Sequence, residues 1–222
     1  MPALIQWWTQ DLAALSPTAL DDAVYAAGAD LLARWGQSHR RYHGTRHLVE
    51  VFWALEELED AGEIDSAAGL LGRVAAWWHD AIYDPRAVGG ANEADSAALA
   101  REVLTSLDCD IDDVDTIEAL VLATASHRDA SGSLERAFLD ADLWILSAPA
   151  GRFDDYCAQV RAEYAHVPEA AYSTARSSIL GEFMARPHLY RTDHARGEWE
   201  PQARINLDRE LARLAGPTLD VT

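Results

Sequence analysis

The chain has 222 residues, of which 49% are hydrophobic and 25% are charged, so it is long and apolar enough to bury one sizeable core. Its formal net charge is −19, and all of its basic residues are arginine, because the sequence contains no lysine. This balance argues against nucleic-acid polymers and anionic membranes as partners, and the lack of lysine excludes a Walker-type phosphate loop and every Schiff-base mechanism.

Helical periodicity of apolar residues runs through nearly the whole sequence. It predicts helices at residues 20–35, 45–61, 66–82, 92–107, 110–126, 133–146, 153–164, 172–184 and 202–214. In the predicted helix at 92–107, Asn92 is expected to be the N-cap and Asp95 to be the acidic residue at position N3. No stretch alternates apolar and polar residues over the length of a strand. The pattern therefore predicts an all-α helical bundle of about eight or nine helices.

Four residues with metal-binding side chains lie on three of these helices: His47, the adjacent pair His79 and Asp80, and Asp142. Imidazole and carboxylate are ligands that divalent cations take in proteins. The helix that carries the His-Asp pair is apolar on nearly every face, and a buried aspartate is costly unless it is paired or coordinated. Asp140 shares a helix with Asp142, and one of the two is expected to face inward. A lone histidine on an apolar face is more often a core residue than a ligand, so the order of all four carries the hypothesis of a metal site.

Seven motifs between residues 34 and 211 narrow this hypothesis. They are Arg41-Tyr-His-Gly-Thr-Arg-His47, Ala76-Trp-Trp-His-Asp-Ala-Ile-Tyr-Asp-Pro85, Asn92-Glu-Ala-Asp-Ser-Ala97, Phe138-Leu-Asp-Ala-Asp-Leu143, Arg161-Ala-Glu-Tyr164, Arg186-Pro-His-Leu-Tyr190 and Ala203-Arg-Ile-Asn-Leu207. In this order they resemble the HD superfamily of metal-dependent phosphohydrolases, and within it a bacterial family of uncharacterised predicted HD-type phosphohydrolases. The resemblance implies an HD-domain-like fold with His47, His79, Asp80 and Asp142 as ligands of a divalent metal ion, with Mn, Zn, Mg, Fe, Co and Ni as the candidates.

The last ligand and the number of metals also follow from the resemblance. The superfamily's last aspartate usually stands in an Ala-Asp-x-Leu context, which favours Asp142, although Leu143 replaces the usual basic residue after it. Asp140 is then the alternative ligand, or a partner that orients a ligand histidine. Two-metal members typically have at least two extra histidines between the His-Asp pair and this aspartate, whereas this chain has only His127 there. We therefore expect one metal ion.

The resemblance implies hydrolysis of a small phosphate ester or nucleotide by a metal-activated water. Asp84 and Glu93 are candidates to activate that water or to protonate the leaving group, and His127 to bind phosphate or reach a second metal. As an alternative, Glu93 is simply a first-turn residue favoured by the helix dipole. A histidine in a last helical turn can likewise do no more than satisfy free carbonyls.

Four residues are candidates for substrate binding: His43, Arg46, Arg176 and Arg204. His43 lies one helical turn before His47, and the arginines could clamp a phosphate. Arginines on the surface or between helices are commoner than phosphate clamps.

Two other functions remain open at this point. One is a di-iron oxygenase of the HD type, which needs more ligands than the sequence shows. The other is a catalytically silent helical module that binds a metal or a ligand.

We expect residues 1–222 to form one domain, with a metal-site core at about 34–150 and C-terminal helices at 150–215 packed on it. Cys109 and Cys157 are too few for a disulfide framework, and no apolar run reaches the length of a membrane span. These features predict a cytoplasmic protein without a membrane partner, either a monomer or a weak homo-oligomer.

Overall fold

The structure is a computed structural model that describes residues 2–128 and 130–216. Within these ranges every regular element is a helix, namely eleven α-helices and a 3₁₀ helix at Leu143–Ser147. The α-helices are α1 (Pro2–Leu15), α2 (Asp21–Trp35), α3 (Thr45–Asp60), α4 (Ser66–Trp78), α5 (Ala91–Ser106), α6 (Ile111–Ala123), α7 (Ser133–Asp142), α8 (Ala150–Glu163), α9 (Glu169–Met184), α10 (Asp193–Glu198) and α11 (Glu200–Ala215). None of them is long and apolar enough to cross a membrane. The all-α prediction is confirmed, with more helices than the eight or nine expected.

Two helices, α1 and α10, were not predicted. Helix α10 has only six residues, which is too short to establish an apolar period. Helix α1 does carry a signal, because Leu4, Trp8 and Leu12 recur every four residues and are all buried.

The chain divides after Asp142 into two compact units. The first contains α1 to α7, and the second contains the 3₁₀ helix and α8 to α11. The expectation of one domain, with a metal-site core that ends near residue 150, stays a prediction.

Helix α4 is the central element of the first unit. It packs against α1, α3, α5, α6 and α7. Its last five residues, 74–78, are all buried. The indole of Trp8 meets Trp77 and Trp78 edge to face, with ring centroids 5.6 and 5.8 Å apart. Because the end of α4 is enclosed in this way, His79, the residue that follows it, lies in the interior of the unit.

Late sequence motifs have structural roles in the second unit. The amide of Asn206 is fully buried and donates to the carbonyls of Leu146 and Ala148, both at 2.8 Å. The hydroxyl of Tyr190 donates to the Leu143 carbonyl at 3.0 Å. These side chains bond backbone oxygens of the 3₁₀ helix and of the residue that follows it, and so hold this part of the chain against α11 and the segment before α10.

Candidate metal centre

His47 lies in the first turn of α3, and its imidazole is buried, with only 2% of its surface exposed. The hydroxyl of Tyr42 lies 3.0 Å from His47 Nδ1. With Nδ1 engaged by this hydroxyl, Nε2 is the nitrogen that faces the other candidate ligands.

The His-Asp pair follows α4 instead of forming its last turn. The helix ends at Trp78, His79 is its C-cap, and Asp80 lies in the turn beyond. His79 Nδ1 lies 2.9 Å from the carbonyl oxygen of Ala76, which can only accept a hydrogen bond. Nδ1 therefore carries a proton, and the neutral ring would present the lone pair of Nε2.

The side chains of His47, His79 and Asp80 converge. The two Nε2 atoms are 3.1 Å apart, and Asp80 Oδ2 lies 3.2 Å from His79 Nε2 and 3.7 Å from His47 Nε2. Ligand atoms that share a cation at about 2.0–2.2 Å are themselves roughly 3–3.5 Å apart. The three residues thus form a group that could hold a metal ion, as the donor types and their separations both fit one.

Asp142 adjoins this group as the last residue of α7. Its Oδ1 lies 3.1 Å from His47 Nε2 and 3.4 Å from His79 Nε2. Residues 133–146, predicted as one helix, divide at this aspartate into α7 and the 3₁₀ helix. Asp140 is fully buried within α7.

His127 contacts the second oxygen of the same carboxylate, with its Nε2 2.8 Å from Asp142 Oδ2. It is one of two non-glycine residues in the described ranges with positive φ, at 50°. Such a conformation costs about 1 kcal/mol or more and persists where the surroundings hold it. His127 therefore contacts Asp142 in the structure. The binding of phosphate or of a second metal by His127 stays a prediction.

The charges of the cluster are strongly coupled. Burial lowers the pKa of His79, but Asp80 and Asp142 outweigh it and hold that pKa well above its ordinary value. Burial likewise raises the pKa of Asp80 and Asp142, yet the neighbouring imidazoles, His79 foremost, bring both below their ordinary values. The cluster is therefore a buried network in which imidazole and carboxylate groups stabilise each other's charged forms.

Arg40 supports the turn that carries Asp80, and nothing in the sequence singled it out. Its guanidinium donates to the carbonyls of Asp80 at 2.6 Å, Ala81 at 3.0 Å and His43 at 3.1 Å. The side chain is buried, and its charge lies 5.5 Å from the ring centroid of Trp35. Arg40 thereby ties the end of α4 to the segment that leads into α3.

Two side chains of α5 hold the segment after the His-Asp pair. Ser96 Oγ accepts from the Ile82 amide at 3.0 Å and lies 3.2 Å from the Ile82 carbonyl. The Asn92 amide makes the same pair of contacts with the backbone of Asp84, at 3.0 and 3.1 Å. Ile82 and Asp84 therefore have their backbone amide and carbonyl groups bonded on the same side of the chain. A neighbouring β-strand would bond alternate residues in the same way. The N-cap of α5 is Gly90, so the prediction of Asn92 as N-cap was wrong.

Of the two carboxylates proposed for acid–base chemistry, Asp84 belongs to this segment and Glu93 follows Asn92 on α5. Asp84 is exposed, and its Oδ1 accepts from the Arg86 amide at 2.9 Å in a local turn. Glu93 is half-buried in the first turn of α5. Their catalytic roles stay predictions.

His43 lies beside the candidate metal site, whereas Arg46 is exposed on α3. The His43 ring stacks on Tyr83 with centroids 4.2 Å apart and lies 6.0 Å from the His47 ring. Arg46 is exposed and pairs through Nε with the buried Glu50 at 3.2 Å.

The other two arginines predicted to bind substrate belong to the second unit. Arg176 donates to the Tyr156 hydroxyl and lies over that ring. Arg204 pairs with Glu200 at 2.6 Å and also donates to three carbonyls, those of Met184, Arg186 and Pro187. Both therefore have structural partners, and their role as phosphate clamps stays a prediction.

Comparison of the chain with protein-family models, with curated proteins and with solved structures finds no match.

Proposed function

We propose that this protein is a metal-dependent phosphohydrolase of the HD type that acts on a small phosphate ester or nucleotide. The observation that carries the proposal is the convergence of His47, His79 and Asp80 from α3 and the end of α4, with Asp142 from α7 beside both imidazoles. These are the residue types, in the order, that the resemblance to the HD superfamily assigns to the metal. We take Asp142 as the fourth ligand.

The bound cation would supply Lewis acidity and an activated water for attack on phosphorus. The protein's own part is to hold four donors in place. The Ala76 carbonyl fixes the tautomer of His79, and His127 fixes one oxygen of Asp142 so that the other faces the imidazoles.

Proton transfer in this proposal falls to Asp84, whose backbone is held by Asn92, or to Glu93, the neighbour of Asn92 on α5. The proposal gives His43 a contact with the substrate, which its position 6.0 Å from the His47 ring supports. A phosphate would be drawn in by the cation, since the net charge of −19 repels anions over the rest of the surface.

The test combines metal analysis of the purified protein with a phosphatase screen across divalent cations and a panel of phosphate esters and nucleotides. We expect about one metal per chain and metal-dependent release of phosphate. Asp80→Ala should lose both, whereas Asp95→Asn, at an exposed aspartate of α5, should lose neither.

Three results would contradict the proposal in different ways. Phosphate release that survives in Asp80→Ala would remove the metal site from the mechanism. Metal binding without hydrolysis of any panel member would indicate the silent binding module. Two irons per chain would indicate the oxygenase.

A further inference from the structure

A groove of about 470 Å³ lies on the first unit, between α1, α3 and α4, and contains none of the candidate metal ligands. Its lining combines aromatic rings with carboxylates, and its main members are Trp7, Asp11, Phe52, Trp53, Glu56, Glu59, Asp60 and Arg73. Its volume is in the range of small-molecule sites.

The charges in the groove do not balance. The lining has four carboxylates and one guanidinium. Arg73 is already shared by Asp11 at 3.2 Å and Glu59 at 3.5 Å. Among the residues that the structure describes, Glu56 and Asp60 have no ion-paired or hydrogen-bonded partner. A ligand that fits this groove therefore carries positive charge.

The aromatic residues give a second, independent indication. Trp53 is 59% exposed and Trp7 is 38% exposed, although large aromatic side chains are usually buried. Trp7 meets Phe52 edge to face at 5.8 Å, so it forms an ordered wall of the groove. Indole faces attract ammonium groups and also cover alkyl chains. The groove thus offers apolar and anionic surface side by side.

The spacing of the free carboxylates narrows the ligand. Glu56 and Asp60 are four residues apart on α3, which places them on one face and about 6 Å apart along the helix axis. Two ammonium groups joined by a four-carbon chain have a similar separation. We propose that this groove binds a linear alkyl polyamine, with ammonium groups on Glu56 and Asp60 and its methylene chain against Trp53.

The probe is spermidine, titrated calorimetrically into the full-length protein at low salt. Glu56→Gln with Asp60→Asn should weaken binding about tenfold, because two exposed ion pairs are lost. The matched control is Glu57→Gln with Glu102→Gln, which changes the net charge equally at exposed positions outside the groove and should change affinity less than twofold. Trp53→Leu, which keeps an apolar surface, should weaken binding about two- to fivefold.

Equal losses in the groove and control variants would show general counterion attraction and overturn the proposal. Tighter binding of ethylguanidinium than of spermidine, or equal binding of a neutral diol of similar length, would overturn the ligand assignment. Spermidine affinity should be unchanged in Asp80→Ala, so this test and that of the phosphohydrolase fail separately.

Discussion

His127 and Asp142 share a hydrogen bond of 2.8 Å that leaves the other carboxylate oxygen of Asp142 at 3.1 Å from His47 Nε2. The bond fixes the rotation of the carboxylate and therefore which oxygen faces the candidate metal position. A histidine outside the ligand set thus controls the geometry of a ligand.

His127→Ala should lower metal affinity about 10- to 100-fold, because Asp142 becomes free to rotate. His127→Asn should retain more affinity, since asparagine tolerates positive φ and can still donate a hydrogen bond. Calorimetric titration with Mn²⁺ or Zn²⁺ measures both. His166→Ala, at an exposed histidine, is the control, and equal affinities in all three variants would contradict the positioning role.

Metal binding should release protons at neutral pH. The pKa of His79 is raised well above 6.5, so the metal-free ring stays protonated there, and a cation must displace that proton. Apparent affinity should rise with pH, about tenfold per unit for each proton displaced, and should level off above the raised pKa. Titrations in buffers of different ionisation enthalpy count the protons, and a count of zero near pH 7 would be inconsistent with the network.

The same network predicts how the metal-free protein responds to pH. The raised pKa of His79 contributes to the free energy of unfolding. This contribution is fully present below about pH 6.5 and is lost as the pH rises through the pKa of His79 in the folded protein. The lowered pKa values of Asp80 and Asp142 also contribute to the free energy of unfolding. These contributions are present above about pH 3.8 and are lost as the pH falls through the pKa values of the folded protein. Thermal unfolding of chelator-treated protein should therefore show maximal stability between these limits. A metal-loaded sample should keep its stability at alkaline pH.

Arg40→Met should destabilise the protein by about 2–4 kcal/mol, because buried carbonyls lose a charged donor. It should also weaken metal binding, since the Asp80 backbone is no longer held. Urea unfolding and metal titration test the two effects. Arg34→Met removes only a surface pair with Asp30 and should cost less than about 1 kcal/mol.

Ser96→Ala should cost about 1–2 kcal/mol and lower metal affinity, because the part-buried Ile82 amide loses the buried hydroxyl that accepts its hydrogen bond. Ser106→Ala on the same helix provides the control, since that hydroxyl is exposed and contacts only the Val103 carbonyl within its own turn. A loss of stability with unchanged metal affinity would restrict Ser96 to a purely structural role.

The sequence predicted the helical class and the group of His47, His79 and Asp80, because apolar periodicity and isolated polar residues are local signals. It extended α4 four residues too far, since Ala81 and Ile82 continue the apolar pattern after the helix has ended. The supports of the site were not predicted. Arg40 acts on carbonyls some forty residues away, and the partners of Ser96 are backbone groups, so neither contact leaves a pattern in the sequence.

Asp80 is held by its backbone as well as by its side chain. Arg40 anchors its carbonyl, and α5 side chains hold the backbone of the following residues, so we expect the turn to keep its shape when a cation binds. Ion uptake then involves little ordering of the chain. The rate of association should accordingly track how quickly each cation sheds its hydration water, and should differ between Mg²⁺ and Mn²⁺ far more than any folding step would allow.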